Sequence, residues 1–155
     1  MGDIILRKAT IEDMDDIMQL QIDIFHGEQR IPSEDISRFA EKSPQCWCAL
    51  LDGKIVGAAA AWEEGGQVHW GRFVINPNFR GLHIGTKLAE FSLKDLFSQQ
   101  ITEVYMEARE VTAKIVSKMG GKIVGEPVSF YEGTVTPIIL HKSDFMKAIL
   151  KSVQK

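Results

Sequence analysis

Apolar and polar positions change period several times along the chain, and each change marks an element. Ile4 to Lys8 reads as a first strand. Thr10, with Asp13 three residues on, is an N-cap signal for a helix whose Met14, Ile17, Met18, Ile24 and Phe25 recur at helical spacing, with Gly27 as its expected stop. After Pro32, Ser33 caps a short second helix carrying Ile36 and Phe39, which the Ser43-Pro44 pair ends. Three strands follow. Cys46 to Leu51 and Lys54 to Trp62 flank Asp52-Gly53, a dipeptide suited to a type I′ turn, and Glu64-Gly65-Gly66 leads into Val68 to Ile75, which completes an antiparallel meander.

From about Gly81 to Ser98 the pattern is again helical, with Ile84, Leu88, Phe91 and Leu96 on the buried side. A strand from Glu103 to Ala108 precedes a helix from Val111 to Met119, which Gly120-Gly121 can end in a left-handed cap. Strands near Lys122 to Gly125 and from Thr134 to His141 follow, and Ser143 caps a terminal helix with Lys147 and Lys151 at the negative end of its dipole. This alternation predicts a layered α/β domain rather than a bundle or sandwich.

Composition narrows the functional classes. At roughly 150 residues per domain, a chain of 155 residues that is 45% apolar is expected to form one domain over 1–155. Eighteen Lys+Arg against 21 Asp+Glu leave a net charge of −3, with none of the basic excess that binds a phosphate backbone, so no nucleic-acid partner is expected. Charges at Asp3 and Arg7 fall where a signal peptide needs apolar residues, and no run approaches the ~18 apolar residues of a span, which points to a cytoplasmic chain without a membrane partner. Cys46 and Cys48 share a strand face and read as buried thiols; His26 and His141 lack partners at metal-ligand spacing, so no metal is expected.

The stretch from Phe73 to Leu88 carries the chemistry. A buried strand breaks at Asn76-Pro77, and a tight loop, Arg80-Gly-Leu-His-Ile-Gly-Thr86, leads straight into a helix. First-turn helix amides lack internal partners and lie at the positive end of the dipole, and Gly81 and Gly85 let a ligand approach the backbone, so the loop suits an anion such as a pyrophosphate. It is not a Walker loop, because the order is Gly85-Thr86-Lys87 rather than Gly-Lys-Ser/Thr, and the dinucleotide Gly-x-Gly-x-x-Gly pattern is absent.

The order of elements around this loop resembles, over nearly the whole chain, the GNAT superfamily of acyl-CoA-dependent N-acetyltransferases. Its Gln/Arg-x-x-Gly-x-Gly/Ala signature is matched by Arg80 and Gly85, followed by the small Thr86, while His83 replaces the first glycine, a change that a right-handed helical conformation at 83 would accommodate. Phe25-His-Gly-Glu-Gln-Arg-Ile-Pro32 and Gly71-Arg72-Phe73-Val74 resemble one subset of the superfamily. The tail, Glu126-Pro-Val-Ser-Phe-Tyr131 with Val135-Thr-Pro-Ile-Ile-Leu140, is similar to acyl-homoserine-lactone and N-acyl amino acid synthases. The resemblance implies a mixed, mostly antiparallel sheet of six or seven strands with helices on both faces, splayed between the fourth and fifth strands. It also implies acetyl-CoA in that splay, with Phe73, Val74 and Ile75 along the pantetheine and Arg80, Gly81, Leu82, His83, Ile84, Gly85 and Thr86 around the pyrophosphate.

An amine attacks a thioester only when neutral, and at the lysine reference pKa of ~10.4 it is ~2500-fold protonated at pH 7, a cost of ~4.6 kcal/mol. Counting back from the signature places His69 where several superfamily members carry a base, and His69 is expected to share a strand face with Gly71 and Phe73. Glu28, expected in the loop between the first two helices, is the second candidate for base or substrate contact. Arg72 either binds a substrate carboxylate or, the favoured reading, pairs with Glu107. Val116 occupies the place of the superfamily's thiolate-protonating tyrosine, which leaves Tyr131, Ser117, Tyr105 or solvent as the acid. The expected function is acetyl transfer to a primary amine of a small molecule or peptide. The alternatives are a longer-chain N-acyltransferase and a CoA-binding sensor domain without turnover. The resemblance leaves room for a homodimer, for which no residue argues.

Overall fold

The computed structural model describes residues 3–32, 34, 43–81 and 83–153, so the helix expected from Ser33, with Ile36 and Phe39, lies outside the described residues, as does Leu82. The elements are β1 (Ile4–Lys8), α1 (Met14–Gln29), β2 (Gln45–Leu51), β3 (Lys54–Glu64), β4 (Gln67–Ile75), α2 (Ile84–Phe97), β5 (Glu103–Ala108), α3 (Glu110–Lys118), β6 (Lys122–Ile123), β7 (Val128–Ser129), β8 (Thr134–His141) and α4 (Lys142–Val153). The eight strands form one sheet in the order β1-β2-β3-β4-β5-β8-β6, with β7 also on β8. All neighbours run antiparallel except β4 and β5.

The strand count exceeds the expected six or seven because two residues, Val128 and Ser129, pair with Val135 and Thr134. In the meander Asp52 and Gly53 both take positive φ, 52° and 79°, as a type I′ turn requires. α1 does not stop at Gly27. A solvent-facing glycine costs a helix only ~0.5–1 kcal/mol, whereas Ile24, Phe25 and Ile31 are buried around it. The helix ends at left-handed Arg30, where the Ile31 N–H donates to the Phe25 carbonyl at 3.0 Å.

Four consecutive alanines in β3 let helices approach from both sides. Ala58 and Ala60 join Cys46, Cys48 and Val74 under Ile17, Ile24 and Phe25 of α1. Ala59 and Ala61 face the larger core of α2, α3 and α4, built on Trp47, Trp70, Leu88, Leu93, Leu96, Val104, Met106, Ile138 and Phe145. The buried indoles are satisfied, Trp47 Nε1 donating to Asp95 at 2.8 Å and Trp70 Nε1 to Ser92 at 3.0 Å. Both cysteines are buried as expected, and burial pushes the Cys46 thiol up to about 11. No helix among the described residues is long and apolar enough to cross a membrane.

Candidate active site

Among the described residues β4 and β5 share one backbone pair, His69 with Tyr105, with no further pair beyond it. The β5-facing edge of β4 after His69 has, among the described residues, no strand partner for its N–H and C=O groups, a costly condition for buried backbone unless something else fills it. Against β3, Val74 pairs with Ala58 and Gly71 with Ala60, so two residues of β4, Arg72 and Phe73, stand opposite Ala59 alone. This is a β-bulge, and Arg72 carries it in the left-handed region with φ 52°.

The bulge shifts side chains between faces. Phe73 stands beside Trp70 on the α2 side, ring centroids 5.4 Å apart, and not on the face of His69 and Gly71, contrary to the strict alternation expected from sequence. Arg72 does not reach Glu107 either. Its guanidinium lies 5.4 Å over the Phe25 ring and donates to Oε1 of buried Gln21 at 3.3 Å, while Gln21 Nε2 donates back to the Arg72 carbonyl at 3.1 Å. Burial on α1 pushes Arg72 down to about 10. Its place is therefore to fasten the bulge to α1; Glu107 instead accepts the Tyr105 hydroxyl at 3.4 Å.

The phosphate-type loop lies at the open end of the split. Asn76 caps a single 3-10 turn, Pro77–Phe79, by accepting the Asn78 N–H. Gly81 then takes φ 86° and His83 φ 61°, ψ 15°, before α2 begins. His83 is thus left-handed, the conformation a glycine takes freely, and not in the right-handed conformation that would have accommodated the exchange. It makes no side-chain cap, and α2 has no acidic residue in its first turn, so the amides of Ile84, Gly85 and Thr86 have neither an intrahelical acceptor nor a side chain from the capping residue. A Cβ on Gly85 would lie 3.4 Å from Phe73 and 3.8 Å from Ile115, which places this glycine where β4, α2 and α3 converge on the split. A long ligand with an anionic end and an amide-bearing arm fits both features together: uncapped amides at one end, an unpaired strand edge along the rest.

Glu28 is in the last turn of α1, not a loop, and grips Arg80 bidentately through Oε1 at 3.1 Å and Oε2 at 3.0 Å. Arg80 Nε also donates to the Ile75 carbonyl at 3.1 Å. Sequence reasoning placed these two residues on separate tasks, yet the fold joins them. The pair is roughly half exposed, a class of ion pair worth ~0–1 kcal/mol, so it yields readily to a competing anion.

His69 sits at the apex of the split, half-buried, stacked on Trp62 with centroids 5.6 Å apart and edge-on to Tyr105 at 5.2 Å. Burial and then neighbouring Glu107 push the Tyr105 phenol up. Val116 is fully buried, and Ser117 points to solvent. Tyr131 stands in the turn before β8, half exposed and packed edge-on to Phe130 at 4.7 Å, with Phe130 in turn beneath the Arg109 guanidinium at 5.1 Å.

Residues 14–115 match the family model described as Acetyltransferase (GNAT) family. Among solved structures, ElaA of Escherichia coli superposes with a TM-score of 0.75 at 17% identity, covering 90% of this chain and 99% of its own. An acyl-CoA N-acyltransferase of Pseudomonas aeruginosa gives 0.74 at 20% identity, covering 88% and 97%. The aminoglycoside acetyltransferase AAC(6')-Ib, in complex with coenzyme A and kanamycin, gives 0.67 at 18%, covering 94% and 98%. No curated protein sequence matches the chain significantly.

Proposed function

The chain belongs to the GNAT family of acetyltransferases, a family that transfers acyl groups from CoA, and from that premise we propose that it moves an acetyl group from acetyl-CoA directly to a primary amine. The observation that carries this reading is the meeting of the β4–β5 split with the uncapped N-terminus of α2. Ile84, Gly85 and Thr86 N–H groups hold the pyrophosphate, each charge-assisted hydrogen bond contributing ~1.5–3 kcal/mol. Gly81 and His83 shape the loop, with Leu82 between them, and Arg80 adds its charge on leaving Glu28. The β4 edge from Phe73 through Val74 to Ile75 pairs with the pantetheine, and a bulge N–H, held by the Arg72–Gln21 contact, polarises the thioester oxygen.

Acetyl rather than a long acyl chain is supported by Trp62, whose ring lies on Gly71 so closely that a Cβ there would meet Cη2 at 3.3 Å. His69, at the apex, takes the amine's proton, since imidazole is the side chain that changes charge nearest neutrality. The amine then attacks the carbonyl, the C–S bond breaks, and the proton returns to the departing sulfur through His69 or water. Glu28 serves the phosphate loop through its ion pair with Arg80.

Calorimetry and thiol release test this together. Gly85→Val should weaken CoA binding at least tenfold, because its γ-carbons crowd Phe73 and Ile115, whereas Gly85→Ala, which only touches them, should bind within about threefold of wild type. kcat/KM should rise along an acid limb that His69→Gln removes without changing CoA affinity. Unchanged CoA affinity in a folded Gly85→Val protein overturns the loop assignment; an acid limb that survives in His69→Gln overturns the base.

A further inference from the structure

The stripe by which α1 packs on the sheet, Ile17, Gln21, Ile24 and Phe25 at helical spacing, holds one polar side chain, and Gln21 is only 1% exposed. Among the described residues Ser92 is the other buried polar side chain, and it serves the Trp70 indole. A buried carboxamide loses hydration that a leucine or methionine in the same stripe would not miss, so its partners must make up the loss. Both ends of the Gln21 carboxamide go to Arg72: Nε2 donates to the backbone carbonyl at 3.1 Å, and Oε1 accepts from Nη2 at 3.3 Å.

That carbonyl belongs to the bulge. A bulge residue with positive φ is commonly glycine, which takes the conformation freely, but here Gly71 lies outside the left-handed region and Arg72, which carries a side chain, stands in it. The bulge is therefore held from outside, by contacts from α1 to the backbone and the side chain of residue 72 together, with the guanidinium over the Phe25 ring. Because a peptide unit is planar and trans, fixing the Arg72 carbonyl also fixes the direction of the Phe73 N–H in the same unit. Phe73 opens the β4 edge along which the pantetheine is read to lie.

The same helix holds the far end of that edge. Glu28, two turns beyond Gln21, grips Arg80, whose Nε donates to the Ile75 carbonyl. From Gln21 to Glu28 the helix rises about 10 Å, and from Arg72 to Ile75 the strand spans about 10 Å, so the two anchors on α1 match the stretch of β4 between them.

Resting on the acetyl-transfer reading above, we propose that Gln21 is a positioning residue for the transfer: it holds the bulge in the conformation that polarises the thioester, and leaves cofactor affinity to the loop at the other end of the edge. Two substitutions separate this role from packing. Gln21→Glu keeps the length of the side chain and an acceptor for the Arg72 guanidinium, yet its carboxylate, ionised beside that cation, has no hydrogen to give the Arg72 carbonyl. Gln21→Met keeps the length and loses both contacts.

The readout that needs no acceptor amine is the infrared carbonyl stretch of bound acetyl-CoA, isotope-labelled at the thioester carbonyl. In wild type it should lie below that of free acetyl-CoA. In both variants it should return at least halfway to the free value, while calorimetry gives CoA dissociation constants within twofold of wild type. Arg72→Gly placed on Gln21→Met should bring the stretch back toward the wild-type value, because glycine holds a φ near 52° without a tether. A merely structural role predicts the reverse, since the double variant has lost more packing than the single one. A stretch in Gln21→Glu equal to that of wild type, a tenfold loss of CoA affinity in either variant, or a double variant further from wild type than Gln21→Met each overturns the proposal. A wild-type protein that binds acetyl-CoA without lowering the stretch, or does not bind it, overturns the acetyl-transfer reading instead.

Discussion

Two side chains in the left-handed region, Arg72 and His83, shape the two ends of the split, and neither residue type announces that conformation. At position 72 the neighbouring Gly71 is the residue that reads as conformationally free, so strict alternation was the natural expectation and the flip of Phe73 was invisible without the Gln21 and Phe25 contacts from a distant helix. Gly81 was legible because its φ is local, and His69 because it sits at a fixed count from the loop. At position 83 a side chain in this region costs ~1–2 kcal/mol that glycine does not incur. Chemical denaturation should therefore find His83→Gly about 1 kcal/mol more stable than His83→Ala, both having lost the same imidazole. Equal midpoints would mean that residue 83 is not left-handed in solution.

The elements themselves were read closely where the period is long and the ends are marked: β5 and β8 run as expected, and the meander turns at its glycines. β7 was missed because two exposed residues, Val128 and Ser129, carry no period. α1 was legible near its start, where Thr10 caps the 3-10 turn Ile11–Asp13 that leads into it at Met14, and misjudged at its end, and its two ends carry different loads. At the start Asp13 accepts from both Arg7 nitrogens and from the Thr10 N–H at 2.7 Å, and the Arg7 guanidinium holds its carboxyl well below the usual range. A carboxyl lowered in the fold contributes stability in full above its unfolded pKa, ~3.9, and loses it as pH falls through the native value. Asp13→Asn should thus cost about 1 kcal/mol at pH 7, with the gap between variant and wild type constant down to about pH 4 and closing below it. A gap independent of pH to strong acid would remove the ionic share of the cap.

The other end of α1 meets the phosphate loop through Glu28 and Arg80. If Glu28 occupies the guanidinium that an anion uses, its loss frees Arg80. Glu28→Gln should then bind CoA two- to fivefold more tightly and keep kcat within twofold of wild type. A kcat reduced tenfold or more with unchanged CoA affinity would return Glu28 to the reaction itself.

For the whole molecule, the sheet is parted between β4 and β5 and held together by the core on its α2 face. The large core runs unbroken beneath both halves, from Ala59 and Trp70 through Leu88 to Met106 and Ile138, while the backbone joins β4 to β5 at one pair. No pattern within either strand reveals such a gap, because both alternate regularly up to it; only the order of elements around the loop pointed there. A ligand that fills the gap supplies partners to strand groups that lack them, and its binding stabilises the fold by RT ln(1 + [L]/Kd), about 2.7 kcal/mol at a hundredfold excess over Kd. Two kinds of amide should then respond differently to CoA in hydrogen exchange. Those paired within β2 and β3 exchange through global opening and should slow only by the linkage amount. Those on the β5-facing edge of β4 after His69, unpaired without ligand, should gain the most protection, and the gain should vanish in Gly85→Val. Uniform slowing across β1 to β4, with no excess beyond His69, would show that the cofactor does not lie along the split.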